Sequence, residues 1–183
     1  EYHRHFTHCL PFIPVGGLIT AGIGKLLTRG RRTIRELWLP GALGWATHGL
    51  LDSCTSYGTY LLWPFSNARV AWHNVAIVDL LFTLPILFGV LLARKRKNRA
   101  LAQTALIWAL AYLSFGLVQR DRAAAAYMKV IEERGHTATR MEVKPSIGNN
   151  ILFRAFYIHE DTFYADSIRV PWWGENKLYE GSS

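Results

Sequence analysis

The chain has 183 residues, half of them hydrophobic and only 19% charged, yet its formal net charge is +8. That length allows one ordinary domain, or a membrane bundle with a small appendage. Two cysteines, Cys9 and Cys54, without a Cys-x-x-Cys spacing, give no sign of a disulfide framework or a zinc knuckle.

The basic residues are concentrated. Arg29, Arg31, Arg32 and Arg35 form one cluster and Arg94, Lys95, Arg96, Lys97 and Arg99 another, each beside a long apolar run. Such placement records membrane orientation rather than nucleic-acid binding, and no nucleic-acid partner is expected. The chain opens at Glu1 without a charged leader and a cleavage site, so it reads as the interior of a longer protein rather than a signal peptide.

Four apolar stretches follow in order. Residues 11–28 carry one charge, Lys25; residues 37–63 are interrupted by His48 and Asp52; residues 75–93 hold only Asp79; residues 100–118 hold no charge. About 20 apolar residues cross a bilayer. The expected fold is therefore mainly α, a polytopic membrane helical bundle of about four spans. With both basic clusters cytoplasmic, the spans run alternately inward and outward. The start of the chain, the loop at residues 64–74 and everything after residue 119 then lie on the extracytoplasmic side.

Beyond Val118 the composition changes. Residues 119–134 read as a helix rich in alanine and charge, stopped by Gly135. Three runs with strand character, at 140–143, 151–158 and 162–170, are separated by turn-forming residues. A small antiparallel meander covering a helix is the simplest assembly, and residues 172–183 read as a loop or frayed end. The expected organisation is a transmembrane helical metal-site domain over 1–118 and a small α+β extramembrane domain over 119–183.

Polar residues inside apolar stretches carry the functional signal, because each is expensive there. His48 and Asp52 are four apart and share a helix face, where an imidazole and a carboxylate can reach one ion. The pair suits zinc, manganese or iron; a structural His–Asp pair is the alternative. At the start of the chain, "HRHFTHC" offers His3 in an approach loop and His8 in a first helical turn capped by Thr7. The orientation above puts both on the same side as Asp52, while interfacial snorkelling is the competing account. Arg4 can hold a phosphate or carboxylate oxygen. Asp79 reads as an orienter of His48 through its other ring nitrogen, with direct ligation or a structural acceptor role as alternatives. His73 is expected in solvent, and His136 and His159 receive no role. No GxSxG elbow, phosphate loop, HExxH or dinucleotide fingerprint occurs.

"HRHFTHC", then "HGLLDSCTSYGTYLLWPFS" and "IVDLLFT", together resemble the YdjM-like family of membrane-bound metal-dependent hydrolases, also described as LexA-binding inner-membrane-associated hydrolases. The family pattern runs His-Arg-Gly-x-Thr-His-Ser, then His-x-x-x-Asp-x-x-Thr-x-x-Gly leading to Trp-Pro. It falls here on His3, Arg4, Thr7 and His8, then His48, Asp52, Thr55, Gly58, Trp63 and Pro64. The later Ile-Val-Asp picks out Asp79, and "GNNILFRAFY" resembles the tail of longer members. Two positions depart from the pattern: His5 stands at the glycine, as an added ligand or a tolerated side chain, and Cys9 stands at the serine. A third departure is that the Pro-Asp-x-Asp segment that members carry upstream of the first histidine motif is not in this sequence; if its aspartates are ligands, the set here is incomplete.

The resemblance implies an inner (plasma) membrane, multi-pass hydrolase. Its divalent ion, zinc foremost, would be held by His3, His8, His48 and Asp52, with Asp79 and Arg4 as catalytic residues. An ester or phosphoester at the membrane surface, including a lipid-linked one, is the expected substrate. The rival is a non-enzymatic membrane scaffold or regulator whose C-terminal domain binds a partner.

Overall fold

The computed structural model describes residues 4–182, which divide into two compact units meeting between Trp72 and His73.

In the first unit two short 3-10 turns, Phe6–His8 and Leu10–Phe12, lead into α1 (Ile13–Leu27) and α2 (Ile34–Cys54). Pro14 sits in the first turn of α1, where its missing N–H costs nothing. Thr33 and Glu36 form a reciprocal capping box that starts α2. The two helices approach closely along small residues. A Cβ on Gly17 would lie 3.0 Å from that of Ala42, and one on Gly41 would lie 3.1 Å from the Gly17 carbonyl oxygen. Small residues at such a seam let backbones pack where no aqueous hydrophobic force drives association. After α2 the chain is irregular, tied by a bridge between Thr59 and Val70 and by the buried Ser53–Thr59 hydroxyl pair.

In the second unit Asp79 caps α3 (Leu80–Arg96), Asn98 caps α4 (Arg99–Glu133), and Lys97 turns the chain between them at a φ of 50°. Gly89 meets Ala105 at this hairpin, a contact a larger residue would force apart. The helices expected on either side of residue 118 are one: α4 runs unbroken through it for 35 residues. That is about 52 Å, against roughly 30 Å of bilayer hydrocarbon, so the helix outreaches a membrane without changing secondary structure.

The final turns of α4 present Ala123, Tyr127 and Ile131, one helical turn apart, to a four-stranded antiparallel sheet. Its strands are β1 (Arg140–Pro145), β2 (Leu152–His159), β3 (Thr162–Arg169) and β4 (Lys177–Ser182), in the order 1-2-3-4. Val143, Phe153, Ala155, Tyr157 and Ile168 alternate inward to meet the helix. Glu160 and Asp161, both at positive φ, close the β2–β3 hairpin. The expected meander over a helix is present, extended by β4 where a frayed end was expected. A bulge opposite Asp166 seats Gly181, whose N–H donates to Asp166 Oδ1 at 2.9 Å.

Asp166 ties this layer together. Its Oδ2 accepts from Tyr127 Oη at 2.7 Å and from Arg134 Nη1 at 2.6 Å. Burial pushes the carboxyl pKa up, but the hydrogen bonds from Arg134, Tyr127 and Gly181 outweigh it and hold the group below its ordinary value.

Four helices stand where four spans were expected. Among the described residues, however, only the Leu10–Leu27 stretch and Arg99–Glu133 are long and apolar enough to cross a membrane. The span expected at 37–63 is cut short because α2 stops at Cys54, and Pro40 and Asp52 interrupt its apolar run. The span expected at 75–93 begins late: Asp79 caps rather than occupies the helix, and Arg94, Lys95 and Arg96 end it. Its uncharged part, residues 80–93, spans about 21 Å.

Candidate metal centre

The site lies in the first unit, where the turn Phe6–His8 approaches the last turns of α2. His48 and Asp52 leave α2 one turn apart, as their spacing predicts. His8 joins them because Gly49 lets the backbones close: a Cβ there would stand 2.6 Å from the His8 carbonyl oxygen. One ligand atom from each of His8, His48 and Asp52 falls within 4.8 Å of the others. The imidazoles of His8 and His48 have centroids 4.4 Å apart, with Trp45 edge-on behind His48 at 6.1 Å.

His8 Nε2 lies 3.0 Å from Asp52 Oδ2, and its Nδ1 lies 2.9 Å from Thr7 Oγ1. Thr7, expected to cap a helix, makes no cap and instead fixes the ring of its neighbour. Such a bond to the distal ring nitrogen sets which tautomer faces a ligand. Burial lowers the His8 pKa, with His48 and Arg4 adding to the effect and Asp52 opposing it. The lowered pKa favours the neutral imidazole, the form in which histidine ligates a metal.

Arg4, at a φ of 58°, turns back onto the same carboxylate. Its Nε is 3.5 Å from Asp52 Oδ2, and its Nη1 donates to Thr55 Oγ1 at 2.9 Å. The Thr55 hydroxyl donates in turn to the Asp52 carbonyl at 2.7 Å, and Tyr57 lies beneath the guanidinium, 5.0 Å from its ring centroid. Arg4 thus competes with His8 for one carboxylate oxygen. By donor chemistry two imidazoles and a carboxylate suit zinc, manganese or iron. His48 is exposed, so the position is reachable from outside.

Not every expected residue joins this cluster. His3 lies outside the described residues. His5 packs its ring against Tyr60 and Trp63, at 5.0 and 5.2 Å. Cys9 is buried and donates its thiol to the Phe6 carbonyl, in keeping with a packing role. Asp79 belongs to the second unit, where Oδ1 accepts from the Phe82 N–H at 3.2 Å and Oδ2 from Tyr112 Oη at 2.7 Å. Its observed partners are those of a helix cap. His73, expected in solvent, is half-buried, and its Nδ1 has no hydrogen-bond partner among the described residues. The supporting roles of Thr7, Thr55 and Gly49 escape a search by ligand type. Thr7 and Thr55 are visible instead through the family pattern, which picks out both positions.

No curated protein and no solved structure matches the chain significantly. The YdjM inner membrane protein family matches residues 1–123, which hold the whole cluster of His8, His48, Asp52 and Arg4, and the chain belongs to that family.

Proposed function

We propose that the chain is an integral-membrane, metal-dependent hydrolase of the inner membrane, acting on an ester or phosphoester at the membrane surface. The observation that carries this reading is the convergence of His8, His48 and Asp52 within 4.8 Å. The ion, zinc by preference, would supply a Lewis acid and a water activated at neutral pH.

The chain's own residues do the rest. His8, held by Thr7, and His48 present imidazole nitrogens, while Asp52 supplies a carboxylate oxygen. Arg4 is anchored through Asp52 and Thr55, and its remaining N–H groups suit a phosphoryl or carboxylate oxygen of the substrate. Asp52 rather than Asp79 is the carboxylate of this reading, since both oxygens of Asp79 already accept hydrogen bonds. His3 completes the ligand set in the family pattern. Multi-pass insertion is part of the proposal, with Leu10–Leu27 and α4 as the crossings.

The test is the metal content of the purified full-length protein beside a His48→Ala, Asp52→Ala double variant. Stoichiometric metal in the parent, lost in the variant and accompanied by ester or phosphoester hydrolysis, is expected. A metal-free parent sinks the hydrolase reading.

A second reading, a scaffold that binds a protein through the C-terminal layer, draws on the Phe156–Phe163 stack, whose Phe163 is 54% exposed. It predicts that Phe163→Ser abolishes partner binding while the His48, Asp52 variant leaves it intact.

A further inference from the structure

The second unit holds an apolar groove of about 520 Å³ where α3, α4 and the segment between β3 and β4 meet. Trp108, Tyr112 and Phe115 of α4 form its floor, and Leu81 of α3 and Trp172 flank it. The aromatic wall is fixed in place. Trp108 Nε1 donates to the Leu81 carbonyl at 3.1 Å, Trp172 Nε1 donates to Asn150 Oδ1 at 3.3 Å, and Trp172 meets Phe115 edge-on at 5.7 Å. Trp173 packs against Trp172 yet is 83% exposed.

One charged side chain, Arg122, lines this groove. Among the described residues its guanidinium bonds neutral groups, the Gln119 side chain and the Pro171 carbonyl. The neighbouring carboxylate is taken, because Asp121 pairs with Arg120 at 2.6 Å. No carboxylate lies within ion-pair distance of Arg122 among the described residues. Position along α4 completes the picture. From Arg99 in the basic cluster to Arg120 the helix rises about 32 Å, one hydrocarbon thickness. Arg122 and the two tryptophans therefore stand at the second membrane boundary, the depth that tryptophan favours.

We propose that this groove binds an anionic phospholipid, one acyl chain lying along the aromatic wall and the phosphate at Arg122. The proposal rests on α4 crossing the bilayer and is independent of the metal centre. Lipid fits better than a peptide because Leu81 at the groove shares its α3 face with Leu84 and Phe88, which are exposed and apolar, and the one charged side chain lining the groove is cationic.

The experiment places the full-length protein in phosphatidylcholine vesicles containing a small fraction of either brominated phosphatidylglycerol or brominated phosphatidylcholine. Quenching due to Trp172 and Trp173 is the difference between the parent and a Trp172→Phe, Trp173→Phe variant. Brominated phosphatidylglycerol is expected to quench these residues more strongly by about fivefold per lipid, the preference one arginine at an anionic surface supplies. Arg122→Gln should abolish the preference at an unchanged melting temperature, and Arg122→Lys should retain most of it. Equal quenching by the two lipids overturns the proposal, as does a preference that survives Arg122→Gln. Tryptophans open to iodide but not to either brominated lipid also overturn it and point to a protein at this face. If the protein fails to float with the vesicles at all, the membrane crossing of α4 is what fails.

Discussion

Two aspartates, one in each unit, are held by an arginine, and they are built to different ends. Asp166 accepts at both oxygens, from Tyr127, Arg134 and the Gly181 N–H, and its side chain is 5% exposed. Asp52 has Arg4 at 3.5 Å and His8 at 3.0 Å, both on one oxygen, and its side chain is 22% exposed. Among the described residues no donor hydrogen-bonds its other oxygen. A saturated, buried carboxylate is a fastener, because nothing further can bind without displacing a partner. A carboxylate with lone pairs to spare beside two imidazoles is available to a cation. The contrast separates structural from ligand-ready acids more sharply than burial alone.

The largest effect should come from the fastener. Asp166→Ala leaves Arg134 and Tyr127 without their acceptor, and breaking such a pair costs about 3 to 5 kcal/mol. Denaturant unfolding followed by near-ultraviolet circular dichroism checks this, and a loss below about 1 kcal/mol would show that Asp166 is dispensable.

Gly49→Ala comes next. Its methyl would press on the His8 carbonyl at 2.6 Å and push the Phe6–His8 turn off α2. Overpacking of this kind costs about 1 to 3 kcal/mol. Metal affinity, measured by competition with a chelating dye, should fall about 10- to 100-fold.

Asp52→Asn should split the two roles, changing stability by less than about 1 kcal/mol while removing bound metal. A large loss of stability with no change in metal content would make Asp52 another Asp166.

The smallest effect is in pH. The Asp166 carboxyl titrates below its ordinary value when folded. Its contribution is thus fully present above the unfolded pKa of about 3.9 and is lost as pH falls through the lower folded value. Melting of the parent should drop below about pH 4, and Asp166→Asn should flatten that acid limb.

Periodicity made part of this legible. His48 and Asp52 are placed on one face by helical spacing alone, and "HRHFTHC" brought in His8 and Arg4 through order in the chain. The bond between Thr7 and His8 was not legible, because it depends on a 3-10 turn rather than on the helix expected there. The capping role of Asp79 was not legible for a related reason: hydropathy counts a carboxylate in an apolar run as intramembrane, whereas the backbone makes it the cap that starts α3. β4 was hidden because "KLYEGS" is polar and short, and its pairing depends on a bulge whose Gly181 N–H is held by Asp166 of β3, outside the segment itself. The continuity of α4 was hidden by a change of composition, which alters what a helix faces without ending it.

That continuity has a mechanical consequence. Some 15 residues of α4 lie beyond its apolar part, a lever of about 22 Å with the sheet fixed along it. A rigid rod pivoting by 10° at the bilayer surface carries its far end about 4 Å sideways. With α4 crossing the bilayer as proposed, membranes of unequal thickness, met by changes of helix tilt, would steer the C-terminal layer to different stations, making lipid thickness a control on where that layer meets its surroundings.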